Sequence, residues 1–286
     1  MRTRITERDI GVLKWIALLK HLSTSLIAQF FFDGNIKVAR RRLNRLSADN
    51  GCLKWVEKPS ASQGRWERVY YLNKQFREEI RHILKTEDII FYSPPQSHAF
   101  LNHDLEIARF LLCLKTTCEA HGGYSFSCLL GHQARSIKRN WHEKDEMPFI
   151  GRRKASFIPD SMIVLQGQKG KTLLFLEIDT GKESITGSFR NTADFSKKLK
   201  AYMDYLESRG YRDVSKKFDY EFKGFRVLVV TAQSRLKKIE SLCEAKSSKE
   251  IIWLTTFDKV STKRLFSQIW QVPCLNKKGD QAIVTN

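Results

Sequence analysis

The chain is short of acid, proline and long apolar runs, and each shortage excludes something. Only 31 Asp and Glu stand against 50 Lys and Arg, a net charge of +19 over 286 residues. A surface so poor in negative charge concentrates polyanions, which leaves nucleic acid or an acidic membrane face as the expected partner class. No apolar run approaches the ~20 residues that a membrane-crossing helix needs. The longest, Val12–Leu22, is interrupted by Lys14, Lys20 and His21. The first eight residues lack an apolar stretch followed by a small-residue cleavage site. The expectation is therefore a cytoplasmic chain with no secretory leader and no membrane insertion.

Cysteine is sparse and unpaired in pattern. The six cysteines form no CxxC pair, so neither a disulfide framework nor a zinc finger is expected. Cys118, His121, Cys128 and His132 lie close in sequence, but their spacing fits no zinc motif. What the chain does have is 42 % apolar and 11 % aromatic residues, enough for packed cores and too much for a disordered chain.

With only six prolines, the adjacent pair Pro94-Pro95 is informative. Periodicity stops there, which places a domain boundary between 1–92 and 98–272. Before it, helices are expected at 3–22, 24–32 and 36–48, with Thr6 and Asn35 as caps. Ile10, Leu13 and Ala17 mark the buried stripe of the first helix, and Ile36, Ala39, Leu43 and Leu46 that of the third. Strands at 52–56 and 65–72 follow, then a connecting helix at 74–84. Three helices and a hairpin is the order of a winged helix-turn-helix. After the boundary, a long helix at 98–119 leads into short apolar runs at 127–134, 156–165, 173–179, 226–231 and 251–255. Helices are expected between them at 188–208 and 234–246, and after Asp258. The fold class is α/β (α+β overall), with the second domain a mixed sheet flanked by helices. Residues 273–286 are expected to form a flexible tail.

The third helix carries Lys37, Arg40, Arg41, Asn44 and Arg45, and the hairpin carries Lys54, Arg65 and Arg68 beside Trp55 and Trp66. A helix in the major groove needs donors for base edges and cations for phosphates. These residues supply both, and Asn44 is suited to an adenine edge. Double-stranded DNA is the expected partner of this half.

The second half gathers carboxylates. Asp160 opens one strand, and Glu177 and Asp179 share a face of the next because residues two apart on a strand point the same way. Clustered carboxylates repel unless a cation neutralises them, so Asp160, Glu177 and Asp179 are candidate ligands for Mg²⁺ or Mn²⁺. Lys198, on the following helix, is placed to lean over the sheet. Tyr202 and Tyr205 could act as nucleophiles, but tyrosines at helical spacing are more often packing residues.

Pro159-Asp160, Glu177-x-Asp179 and Lys198 together resemble the PD-(D/E)xK nuclease pattern, with Asp179 standing where the usual lysine would be. More broadly, Thr6-Glu-Arg-Asp9, Ala39-Arg-Arg-Arg-Leu43, His103-Asp-Leu-Glu106, Pro-Asp, Glu-Ile-Asp and Lys198-Leu-x-x-Tyr-x-x-Tyr-Leu resemble the replication-relaxation family over roughly residues 5–255. That family is related to MOB-C type plasmid relaxases. The resemblance implies that Asp160, Glu177 and Asp179 hold the metal and that Lys198 orients the nucleophile or stabilises the transition state. It adds Glu106, from the first helix of the domain, as a weaker catalytic candidate. No His-x-His occurs, which argues against the relaxase type with a three-histidine metal site.

Two functions fit. One is a metal-dependent, site-specific DNA nickase or relaxase that mobilises or replicates a plasmid or integrative element. The other is a non-catalytic winged-helix regulator with a degenerate nuclease-like dimerisation domain. Accessory mobilisation or replication proteins, or a homodimer, are compatible with either.

Overall fold

The computed structural model describes residues 4–48, 51–59, 66–92, 97–131, 133, 157–181, 185, 194–246, 249–273 and 279–284. The chain divides into two compact units, Met1–Leu112 and Cys113–Asn286. The division falls inside a helix, not at the proline pair, which lies outside the described residues. The fold class is mixed α/β, with two sheets among the described residues.

The first unit opens with α1 (Glu7–Leu19), which starts where Thr6 and Asp9 form a reciprocal capping box. Its buried side is Val12, Leu13, Ile16 and Leu19, one step round from the expected stripe of Ile10, Leu13 and Ala17. The reason lies at Asp9. Asp9 is itself buried and receives Arg42 from the third helix, at 2.9 Å from Nε, and this pins the helix face. A short strand β1 (Leu22–Ser23) leads to α2 (Thr24–Phe31), capped by the Ser23 hydroxyl. Asp33 and Gly34 turn the chain with positive φ, and Asn35 caps α3 (Ile36–Ser47) by accepting from Val38 N. Ala39, Leu43 and Leu46 are buried, whereas Ile36 is exposed.

The hairpin of β2 (Leu53–Pro59) and β3 (Trp66–Leu72) completes a three-stranded sheet in the order β1-β3-β2. Its register pairs Trp55 with Tyr70, Glu57 with Arg68 and Pro59 with Trp66, so these six share one face. A 3₁₀ turn (Lys74–Phe76) and α4 (Arg77–Leu84) follow. α5 (His98–His121) begins in this unit and ends in the second. In the first unit its Asp104 pairs with Lys20 at 3.0 Å and lies 3.8 Å from His21. Burial alone would raise the Asp104 pKa, but His21 and the Lys20 ammonium together hold it down at about 2.

In the second unit β4 (Ser125–Leu130), β5 (Ser161–Gly167), β6 (Gly170–Asp179), β7 (Arg226–Thr231) and β8 (Ile252–Thr256) form one mixed sheet in sequential order. β4, β5 and β6 are antiparallel to one another; β6, β7 and β8 run parallel. Both alternating sets of β6 and β7 are buried, which requires cover on both faces. On one face Leu173, Phe175, Val227 and Val229 pack with residues of α6 (Phe195–Glu207), α7 (Tyr211–Phe218) and α8 (Gln233–Ala245). Asp194 caps α6, setting a later start than the expected residue 188; 186–193 lie outside the described residues. α7 has no counterpart in the expected elements, and the segment after Asp258 forms turns where a helix was expected.

Of the segment expected to be a flexible tail, residues 273 and 279–284 are described. Ile283 is buried and its carbonyl accepts from Arg226 Nη1 at 2.8 Å. Lys259 pairs with Asp280 at 3.0 Å, and Gln281 bridges to Trp270, which is fully buried. An apolar anchor two residues from a backbone bridge gives this segment a place on the unit.

Candidate functional site

The chemistry of the second unit centres on the carboxyl end of β6, where the sheet changes from antiparallel to parallel pairing. Alternation puts Glu177 and Asp179 on the face that packs against α6, α7 and α8, and the structure treats them differently.

Glu177 is 3 % exposed. Tyr202 Oη donates to its Oε1 at 2.6 Å and Lys198 Nζ to its Oε2 at 3.0 Å. Both donors come from α6, one helical turn apart, so the helix face that carries Leu199 into the core also delivers them. Burial pushes the Glu177 pKa up to about 7. The Lys198 charge opposes the rise, the Asp160 charge adds to it, and the two hydrogen bonds oppose it. Tyr202 is fully enclosed, with its ring 4.3 Å from that of Phe157 and 5.7 Å from that of Phe175. Burial first, and Glu177 second, raise its phenol well above the ordinary value. It is a fixed proton donor to Glu177 and not an exposed nucleophile. Tyr205 is buried in the same aromatic cluster, which likewise raises its pKa.

Asp160 closes the other side. Its Oδ2 accepts from Ile178 N at 2.8 Å, so its carboxylate sits against the β6 backbone between Glu177 and Asp179. Its own backbone is stitched to both neighbouring strands. Asp160 N donates to Leu176 O at 3.1 Å, and Gly131 N donates to Asp160 O at 3.0 Å. Gly131 permits this approach, since a Cβ there would stand 2.4 Å from Pro159 O.

Asp179 is engaged elsewhere. Arg235 of α8 grips both of its oxygens, with Nε to Oδ2 at 2.7 Å and Nη2 to Oδ1 at 3.0 Å. Thr231, its register partner on β7, donates to Oδ2 at 2.7 Å, and Gly181 N donates to Oδ1 at 3.1 Å. A carboxylate so filled does not fit a metal ion. Among the described residues no group of three or more His, Cys, Asp and Glu is arranged to hold one. Asp160 and Glu177 are a different matter. Two carboxylates beside each other suit an ion such as Mg²⁺, which usually takes one or two protein carboxylates and completes its shell with water and phosphate oxygens. Glu106 belongs to the first unit, where it pairs with Arg109 at 3.4 Å.

The first unit presents a separate charged face. Lys37, Arg40, Arg41 and Asn44 recur at helical spacing on the exposed side of α3, with Arg45 beside them. Lys54 is exposed on β2, Trp66 is 60 % exposed on β3, and Arg68 lies with its guanidinium 4.0 Å over the Trp55 ring. Arg65 lies outside the described residues.

Tyr202, Arg235 and Thr231 were not singled out by sequence as partners of these carboxylates. Thr231 and Arg235 become visible only once β7 is known to run parallel to β6 in this register.

The geometry thus describes a two-unit protein with a basic helix-and-hairpin surface in one unit and a buried carboxylate–lysine site in the other. The chain belongs to the replication-relaxation family, whose sequence model matches residues 13–219. That match takes in α3, the hairpin, Asp160, Glu177 and Lys198. Membership points to plasmid replication or mobilisation and to an involvement with DNA. No curated protein and no solved structure matches the chain. Among the described residues no helix is long and apolar enough to cross a membrane.

Proposed function

We propose that the chain is a site-specific DNA-nicking protein of the relaxase kind, acting in plasmid replication or mobilisation. The first unit acts as a winged helix-turn-helix, with α3 as the recognition helix and the hairpin as its wing. The second acts as a PD-(D/E)xK-like nuclease domain. The observation that carries the reading is the hydrogen bond from Lys198 to buried Glu177 with Asp160 alongside: an acid, a second acid and a lysine at the end of one central strand.

On this reading the working set is Asp160, Glu177 and Lys198, and Asp179 is structural. Asp160 and Glu177 would hold Mg²⁺ or Mn²⁺, which supplies an activated water and charge neutralisation at a phosphodiester. Lys198 has a side chain 30 % exposed and can donate to a phosphate oxygen as charge develops there. Tyr202 holds Glu177 in one orientation through Oε1. The Ile178 amide does the same for Asp160 through Oδ2. The basic surface of the first unit supplies phosphate contacts, and binding weakens steeply with salt.

The test is nicking of supercoiled DNA carrying sites recovered by selection on the protein itself, with Mg²⁺ or Mn²⁺ present. Wild type should convert supercoiled to open-circular DNA. Asp160→Asn, Glu177→Gln and Lys198→Met should each lower the rate by at least ~100-fold while binding the duplex as before. Wild type that never nicks, or variants that nick equally well, would end the enzymatic reading.

A further inference from the structure

Arg68 is held from two sides. Its guanidinium stacks on Trp55 at 4.0 Å, and its Nη1 donates to Asn44 Oδ1 at 2.9 Å. A guanidinium has donors and no acceptor, so this bond decides which way the Asn44 amide faces. The carbonyl turns to the hairpin, and the amide nitrogen is left to face whatever α3 meets.

We propose that Arg68 is a positioning residue that makes Asn44 a donor-only reader of DNA, selecting a guanine or thymine edge over adenine; this rests on α3 being a recognition helix. An amide reads adenine with both ends, accepting from N6 while donating to N7. Here the N6 amino group would have to bring a second positive dipole to an oxygen already shared with a cation. The Nδ2 donors meet no such conflict. Guanine offers N7 and O6 as acceptors, and thymine offers O4. Asn44 by itself suits adenine; the tertiary contact with β3 reverses that preference. The same contact gives Arg68 a task other than phosphate binding. Its stacking on Trp55 holds the fork in place across the gap between hairpin and helix.

Selection of bound duplexes from a randomised pool, using the full chain, tests this. Wild type should recover a consensus with guanine or thymine at one position that Asn44→Ala relaxes, by about fivefold or more. Arg68→Met keeps an apolar stem over Trp55 and removes the donors. It should move that same position toward adenine and leave the rest of the consensus in place. Arg68→Lys, which keeps the charge but loses the planar fork, should shift the position in the same direction and serves if the Met variant does not fold. Adenine at the Asn44-sensitive position in wild type overturns the proposal, as does a position indifferent to both Arg68 variants. A folded wild type that enriches no sequence overturns the recognition-helix reading itself, which is a different failure.

Discussion

Replacing Arg235 with Met should unfold the second unit more readily than any surface substitution. The Asp179 side chain is 8 % exposed and receives four hydrogen bonds, two of them from Arg235. Removing the guanidinium leaves a nearly buried carboxylate with one hydroxyl and one amide donor. Breaking a buried pair from one side typically costs about 3–5 kcal/mol, because an uncompensated charge remains. The pair as a whole is worth far less, since both groups had to leave water to form it. Arg235→Met combined with Asp179→Asn should therefore recover most of the loss, to within about 1–2 kcal/mol of wild type. Urea unfolding of the full chain, followed by circular dichroism, reads both values. A single variant within about 1 kcal/mol of wild type would refute the reasoning, as would a double variant no better than the single one. Magnesium adds a second reading. If Asp179 were a metal ligand, millimolar Mg²⁺ would raise the midpoint of the single variant differently from that of wild type; with Asp179 structural and the ion held by Asp160 and Glu177, it should raise both by the same amount.

Two further outcomes follow from ionisation. Glu177 has its pKa raised by burial from 4.5 to about 7, so the fold favours its protonated form; the stability this gives is complete below pH 4.5 and is lost as pH rises through 7. Glu177→Gln, which does not titrate, should gain on wild type by up to about 3 kcal/mol between pH 4.5 and 8 in urea midpoints, and a constant gap would contradict the assignment. Asp104 shows the opposite sign: its depressed pKa of about 2 gives stability that is present above pH 3.8 and lost on acidification toward 2. Asp104→Asn should cost about 2 kcal/mol at pH 7 and almost nothing at pH 2, where an equal loss at both values would show that Lys20 and His21 are not its partners.

Local chemistry was legible in the sequence; tertiary partners were not. Thr6, Ser23 and Asn35 cap their helices because capping needs only a few neighbouring residues. The exposed basic face of α3 follows from spacing alone. Period two on β6 puts Glu177 and Asp179 on one face, but nothing local says that one receives Lys198 and the other Arg235. That choice depends on which helix crosses which strand end. Arg42 shows the same limit. It sits within the Arg40-Arg41-Arg42 run and reads as one more surface cation, yet it reaches back to Asp9 and is fastened inside the unit. In the His103-Asp-Leu-Glu106 motif Asp104 pairs with Lys20 of another element, whereas Glu106 pairs with Arg109 of its own helix. Ile283 was read as part of a loose end because a short apolar pair near a terminus has no period to betray its burial.

The last three residues of β6 work as a bracket with one welded and one removable joint. Asp179 is welded to α8 through a two-pronged grip that no small displacement can satisfy halfway. Glu177 meets α6 through a single ammonium on a flexible stem and one phenol. If an incoming phosphate draws Lys198 away, Tyr202 still holds α6 to the strand, and the Arg235 grip on Asp179 keeps all of its hydrogen bonds. The framework therefore stays rigid while a single cation is exchanged. A strand that offers its two acids to two different helices can give up one charge contact without loosening the sheet beneath it.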